Sequence, residues 1–199
     1  MKTIRLSILI VASKIKTVFL KKTAMQLDSF CFKIADMKKT GEFMKKTIAL
    51  IAHDNRKRDL LDWVGVNRSI LLRHKLVCTG TTGRLVEEKL STNLSDDSPI
   101  DLIKFKSGPL GGDQQLGALV CDGDVDIMIF LWDPISVQPH DVDVKALLRI
   151  GVMYNVPIAC NRASADFMIS SPLLDGEYEN KGIDENISHY LNRDLPGIS

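Results

Sequence analysis

The chain is poor in the residues that staple or metallate a fold. Its four cysteines, Cys31, Cys78, Cys121 and Cys160, are far apart in 199 residues and form no Cys-x-x-Cys pair. That excludes a disulfide framework and reads as buried thiols in a reducing, cytoplasmic compartment. The four histidines are equally scattered, so no metal-ligand spacing appears and no metal or cofactor is expected. No apolar run approaches the ~20 residues of a membrane span. The run at residues 6–12 is short and meets Lys14 and Lys16 at once. Strong charge of either sign is also missing, the net value being +1. Residues 1–43 carry nine Lys/Arg against Asp28, Asp36 and Glu42, hence +6, which leaves −5 for the remainder. An acidic body argues against nucleic acid as the partner.

What is present is an ordinary globular composition, 45% hydrophobic and 26% charged, long enough to bury a core. Residues 1–43 have no tidy period and no convincing signal-peptide cleavage site. They read as an extension, either disordered or targeting, or as a start placed upstream of Met44. Residues 44–199 are expected to be one domain.

From Met44 the pattern is strand then helix, repeatedly. Apolar runs predict strands over 47–52, 75–79, 100–105, 125–132 and 157–160. Between them, helical spacing predicts helices from about Asn55 to Leu72 and over 82–89, 116–121, 142–154 and 163–169, with another near 187–191. A polar loop is expected over 91–98. Alternation of this kind implies an α/β fold: an open, mainly parallel five-stranded sheet with helices on both faces, Rossmann-like, joined by right-handed crossovers. In such a sheet ligands bind beyond the carboxyl ends of the strands. Those ends carry His53-Asp54, Thr79-Gly80-Thr81-Thr82-Gly83, the stretch Ser107–Asp113, Asp133 and, on the following loop, His140. Everything polar and unusual falls on one rim.

Two of these stretches have a plausible chemistry. Thr79–Gly83 offers hydroxyls and supple backbone just before a helix, the makings of a phosphate cradle, or simply a threonine-capped turn. It lacks the lysine and spacing of a nucleotide P-loop. Lys57 either adds a cation there or is merely solvated. Around Ser107-Gly108-Pro109-Leu110-Gly111-Gly112-Asp113, the glycines suit close approach of backbone to a ligand. Asp113 either caps the next helix or acts as a base. Asp54, Asp113, Asp133 and Asp143 would give a surplus of carboxylates whose proximity raises their pKa values. Asp133 also suits a strand-ending turn before proline. His140 suits either an ordinary loop or a neutral imidazole that polarises a carbonyl. A phosphate site, a carboxylate base and a histidine together suggest a small phosphorylated carbonyl substrate.

These stretches, with Ala52-His53-Asp54, Trp132-Asp133-Pro134, Pro139-His140-Asp141-Val142-Asp143, Lys145–Arg149 and Asn161–Asp166, resemble methylglyoxal synthases. The similarity runs from about Met44 to Pro172. The resemblance implies conversion of dihydroxyacetone phosphate to methylglyoxal and inorganic phosphate, without metal or organic cofactor, by what is usually a homohexamer. It implies no nucleic-acid or membrane partner, and it brings in phosphate as product and regulator. It places Asp113 as the base and His140 at the carbonyl, with Asp133 and Asp143 supporting them. It gives the phosphate to Lys57, Thr79, Gly80, Thr81, Thr82, Ser107 and Gly108, with His53 and Asp54 lining the site. The segment 91–103 is slightly longer than is usual in the family, and residues 1–43 have no counterpart. After Pro172 the similarity fades, leaving Arg193 as only a candidate for a C-terminal phosphate contact. The alternative is a non-catalytic regulatory domain of the same fold that binds a phosphate or a nucleotide.

Overall fold

The computed structural model describes residues 43–92, 99–136 and 141–178, together with 188, 190 and 192. Its elements all fall in the compact unit Met44–Ser199. Residues 1–42, the loop at 93–98, His140, Arg193 and most of the helix expected over 187–191 lie outside the described residues.

The chain begins its core with β1 (Thr47–Ala52), whose side chains alternate between two faces that are both buried. Ile48, Leu50 and Ala52 enter one apolar cluster, and Ala49 and Ile51 enter the other. β2 (Lys75–Cys78), β3 (Leu102–Lys104), β4 (Ile127–Leu131) and β5 (Ile158–Ala159) complete a five-stranded sheet of order β3-β2-β1-β4-β5. Every pairing is parallel, with Leu50 beside Cys78 on one side and Ile129 on the other. The expected architecture therefore stands, with each strand after the first shorter than its apolar run.

Six α-helices connect the described strands: α1 (Lys57–Val66), α2 (Arg68–Leu71), α3 (Gly80–Ser91), α4 (Gly112–Cys121), α5 (Asp141–Met153) and α6 (Arg162–Ile169). Leu60, Trp63 and Val64 of α1, Val86 and Leu90 of α3 and Ala165 of α6 pack on one face. Leu116 and Val120 of α4 and Val144 and Leu147 of α5 pack on the other. A bond from Trp63 Nε1 to Asp166 Oδ1, 2.8 Å long, ties α1 to α6. Among the described residues no helix is long and apolar enough to cross a membrane.

Three local expectations change. The single helix expected up to Leu72 is broken at Asn67, whose Nδ2 donates to the Trp63 carbonyl at 3.0 Å. That side chain adds a second donor to a carbonyl the Asn67 amide already bonds, the local side-chain bonding by which asparagine competes with a continuing helix. Helix α4 starts at Gly112, not Leu116, so Asp113 lies inside its first turn. Cys121, read as buried, is exposed, whereas Cys78 is buried and its thiol is pushed up to about 12 by that burial.

The turns after β2 and β3 are pressed together. The Gly80 amide donates to both Phe105 and Lys106 carbonyls, at 3.1 and 3.0 Å. A Cβ at Gly80, which has a φ of +39°, would lie 2.6 Å from Ser107 Cα. A Cβ at Gly112 would sit 2.0 Å from the Lys106 carbonyl oxygen. These glycines serve the approach of the chain to itself. Gly112→Ala is expected to cost about 1–3 kcal/mol through overpacking and to lower Tm measurably. A melting curve unchanged from wild type would show that the contact relaxes freely.

Candidate active site

A cavity of about 350 Å³ opens beyond the carboxyl ends of the strands, on the side where β1 and β4 diverge in their crossovers, as expected for an open parallel sheet. Its wall is drawn from four consecutive strand ends. β1 and the residues after it supply Ile51, Ala52, His53, Asp54 and Lys57. The end of β2 supplies Thr79, Thr81 and Thr82. The turn after β3 supplies Ser107, Gly108 and Pro109, α4 supplies Asp113, and β4 supplies Phe130.

Most of the residues singled out in the sequence are thus brought together. Thr79 is the N-cap of α3, yet its side chain makes no capping bond. The threonines therefore face the cavity at a helix start whose first N–H groups have no intrahelical acceptor, a setting that suits an anion. Lys57 reaches across from α1. Its Nζ donates to Asp54 Oδ1 at 2.6 Å and to Thr81 Oγ1 at 2.8 Å. The Lys57 side chain is 21% exposed and that of Asp54 89%. An ion pair so open to water is worth little in stability, and an arriving anion can displace it. Asp54 opens the short 3-10 turn Asp54–Arg56 ahead of α1 and bonds this lysine.

Asp113 is 5% exposed and lines the cavity from the first turn of α4. The N-cap of that helix is Gly111, so Asp113 is not its cap. The same wall holds His53, whose ring meets Phe130 edge-on with centroids 5.3 Å apart. His53 Nδ1 accepts the Asp133 peptide N–H at 3.2 Å.

Other candidates fall elsewhere. Gly80 is not part of the cavity wall; it spaces α3 from Ser107. Asp143 lies in the first turn of α5 and does not line the cavity. Nor does Asp133, although it is buried. Its carboxylate accepts Asn55 Nδ2 at 2.9 Å, Ser136 Oγ at 2.7 Å and the Ile135 amide at 3.1 Å. The Asn55 and Ser136 bonds hold that carboxyl well below the usual range. This reverses the expectation that crowding among acids would raise it. These bonds favour the ionised carboxylate, so Asp133 serves as an acceptor inside its own turn. His140 lies outside the described residues.

Phe130, Ile51 and Ala52 were not legible as site residues, because a buried strand conceals which of its last side chains reach the end of the sheet. Asn55 was equally hidden, since its partners are remote in sequence.

Residues 59–160 match the family model described as the MGS-like domain. A methylglyoxal synthase of Maridesulfovibrio salexigens is 52% identical over 157 residues, spanning 75% of this chain and 98% of its own length. One from Leptospira interrogans is 57% identical over 134 residues, spanning 67% of this chain and 85% of its own. The crystal structure of methylglyoxal synthase from Elizabethkingia anophelis superposes with a TM-score of 0.65 at 46% identity. That match covers 77% of this chain and 95% of the other. On these matches the chain belongs to the methylglyoxal synthase family.

Proposed function

We propose that the chain is a carbon–oxygen lyase that converts dihydroxyacetone phosphate to methylglyoxal and inorganic phosphate. The observation that carries this reading is one cavity whose wall holds a buried carboxylate, Asp113, together with Lys57, Thr79, Thr81, Thr82, Ser107 and Gly108.

Those six residues suit the phosphate. A phosphate monoester carries about −1.5 to −2 charges, which a lysine, hydroxyls and helix-start amides neutralise by charge-assisted bonds. Binding would draw Lys57 away from Asp54, so the site stores its cation on an exposed partner until substrate arrives. Asp113 would take a proton from the hydroxyl-bearing carbon α to the carbonyl, giving an enediolate. A proton then passes from the terminal hydroxyl to the carbonyl-derived oxygen, the terminal oxyanion closes to an aldehyde C=O, the C=C shifts one carbon along, and phosphate leaves with the electrons of its C–O bond. The enol left behind gains a proton on carbon and becomes methylglyoxal. Donors aimed at the developing enediolate charge are each worth on the order of 10²–10³ in rate. His53 and, four positions beyond the Asp133 turn, His140 are the donors this reading assigns, while Asp133 and Asp143 support the site from outside the cavity.

Expulsion of phosphate requires its C–O bond to stand out of the enediolate plane. A grip that holds the phosphate from one side imposes that geometry and favours elimination over isomerisation. A regulatory domain of this fold needs the grip alone, and a buried carboxylate beside it would repel the ligand. Asp113 therefore favours the enzyme.

The same reading makes the enzyme a cytoplasmic homohexamer, with phosphate as product and regulator. Exposed Val142 and Val152 on α5 and Phe167 on α6 are apolar surface that such an assembly would cover.

Incubating the purified chain with dihydroxyacetone phosphate is expected to release methylglyoxal and inorganic phosphate in equal amounts. A folded sample that yields neither product refutes the reading. Asp113→Asn is expected to lower kcat by at least about 10³, given the 10²–10⁴ typical of a positioned base, while still binding a phosphorylated inhibitor. Near-wild-type turnover in that variant would remove Asp113 from the chemistry.

A further inference from the structure

Asn55 lies in the short turn between His53 and Lys57, is exposed, and does not line the cavity. It nevertheless links that turn to side chains of the segment after β4. Its Nδ2 donates to Asp133 Oδ2 at 2.9 Å and to Ser136 Oγ at 2.9 Å. Ser136 Oγ donates onward to the same Oδ2 at 2.7 Å, and the Ile135 amide donates to Oδ1 at 3.1 Å. Two donor hydrogens of one amide group are thus spent on closing a four-residue turn around a carboxylate.

What that turn presents to His53 is a peptide N–H. The Asp133 amide donates to His53 Nδ1 at 3.2 Å. A backbone N–H can only donate, so Nδ1 must hold a lone pair, and a neutral imidazole then carries its proton on Nε2. A proton on Nδ1 would set two donors against each other. Phe130 restrains the ring from its side, edge-on at 80°. A ring fixed in this tautomer is a hydrogen-bond donor to an oxygen-rich ligand.

We infer that Asn55 is a positioning residue: by clamping Asp133 it holds the amide that keeps His53 in its Nε2-protonated form. The kinetic consequence rests on the synthase reading; the tautomer does not. The charged groups around the cluster are accounted for. Asp54, Lys57 and Asp113 share the cavity with His53, and Lys57 is bonded to Asp54. Arg56 and Asp59 share the neighbouring crevice with Trp132 and Pro134 and pair with each other at 3.2 Å.

The test combines spectroscopy and kinetics on the full chain. In ¹⁵N-labelled wild type, His53, assigned by its loss in His53→Gln, is expected to show a lone-pair Nδ1 and a protonated Nε2. In Asn55→Ala that signature is expected to give way to mixed tautomers. The kcat for dihydroxyacetone phosphate is expected to fall about tenfold to a hundredfold, as for a modest misplacement, with KM less affected. Asn55→Asp places two carboxylates against each other, so one proton is shared and the pair's upper pKa rises. The ratio of its activity to wild type is expected to climb as pH falls from about 8 to about 6. A wild-type His53 protonated on Nδ1 overturns the inference, as does Asn55→Ala with an unchanged spectrum and kcat within about twofold of wild type. Should the alanine variant fail to fold, the wild-type spectrum and the pH ratio of Asn55→Asp decide. A wild type that makes no methylglyoxal defeats the synthase reading and leaves the tautomer measurement to judge this one.

Discussion

The site depends on one constraint, the seating of the backbone at 105–107 against the start of α3. The Gly80 amide is shared between the Phe105 and Lys106 carbonyls, while the Phe105 amide donates to Cys78 at 2.8 Å. Gln115 closes the arrangement from α4 by accepting the Lys106 amide at 3.0 Å. These bonds extend the β2–β3 pairing past the strand ends, so two turns that each hold half of an anion grip are fixed as one surface. A side chain at Gly80 would keep the two turns apart, and one at Gly112 would collide with Lys106 of its own turn. The grip is thus a product of main-chain packing, and its geometry is as stiff as the sheet that carries it.

Around that rigid half, the charged groups are distributed so that they do not cancel one another. Asp54 holds Lys57 at the water-exposed mouth, where the attraction is weak and reversible. Asp113 stands in the buried part of the wall, where a charge has few solvent partners and a proton transfer is felt most strongly. Asp133 is turned away from the cavity and its charge is absorbed by Asn55, Ser136 and a backbone amide. Asp54, Asp113 and Asp133, expected to crowd one rim, therefore stand in different electrostatic settings. Mutual repulsion, the effect expected from their number, is avoided by orientation.

The parts legible in the sequence were those governed by local periodicity. A run such as Thr47–Ala52 is apolar at every position, and only a parallel strand covered on both faces satisfies that. Once the strands were placed, the convergence of His53, Lys57, Thr79 and Ser107 at one end followed from the topology of the fold. What escaped was set by side-chain direction and by remote partners. Whether Asp133 or Asp113 faces the cavity depends on rotations at the strand end and within the first helical turn, which no spacing reveals. Asn55 meets Asp133 across 78 residues of sequence. Gly80 looked like part of the cradle and Gly112 like clearance for a ligand, whereas a Cβ at Gly80 would meet Ser107 of the turn after β3 and one at Gly112 would meet Lys106 of its own turn.

The division of labour across the sheet bears on why such a cavity would favour elimination. On the proposed reaction, phosphate is held by the locked turns after β2 and β3, whereas the carbonyl end of the substrate meets groups from β1 and β4. β1 and β4 pair directly over five residues, from Ile48 with Ile127 to Ala52 with Leu131. The sheet's right-handed twist rotates each strand by roughly 20–25° from its neighbour. Holding the two ends of one small molecule on strands separated by that rotation fixes a torsion along its carbon chain. A mobile lid would let the torsion relax toward the planar arrangement that protects the C–O bond. A grip built from packed main chain does not, so on the proposed reaction the stiffness of the turns at Gly80 and Gly112 serves the chemistry as well as the fold.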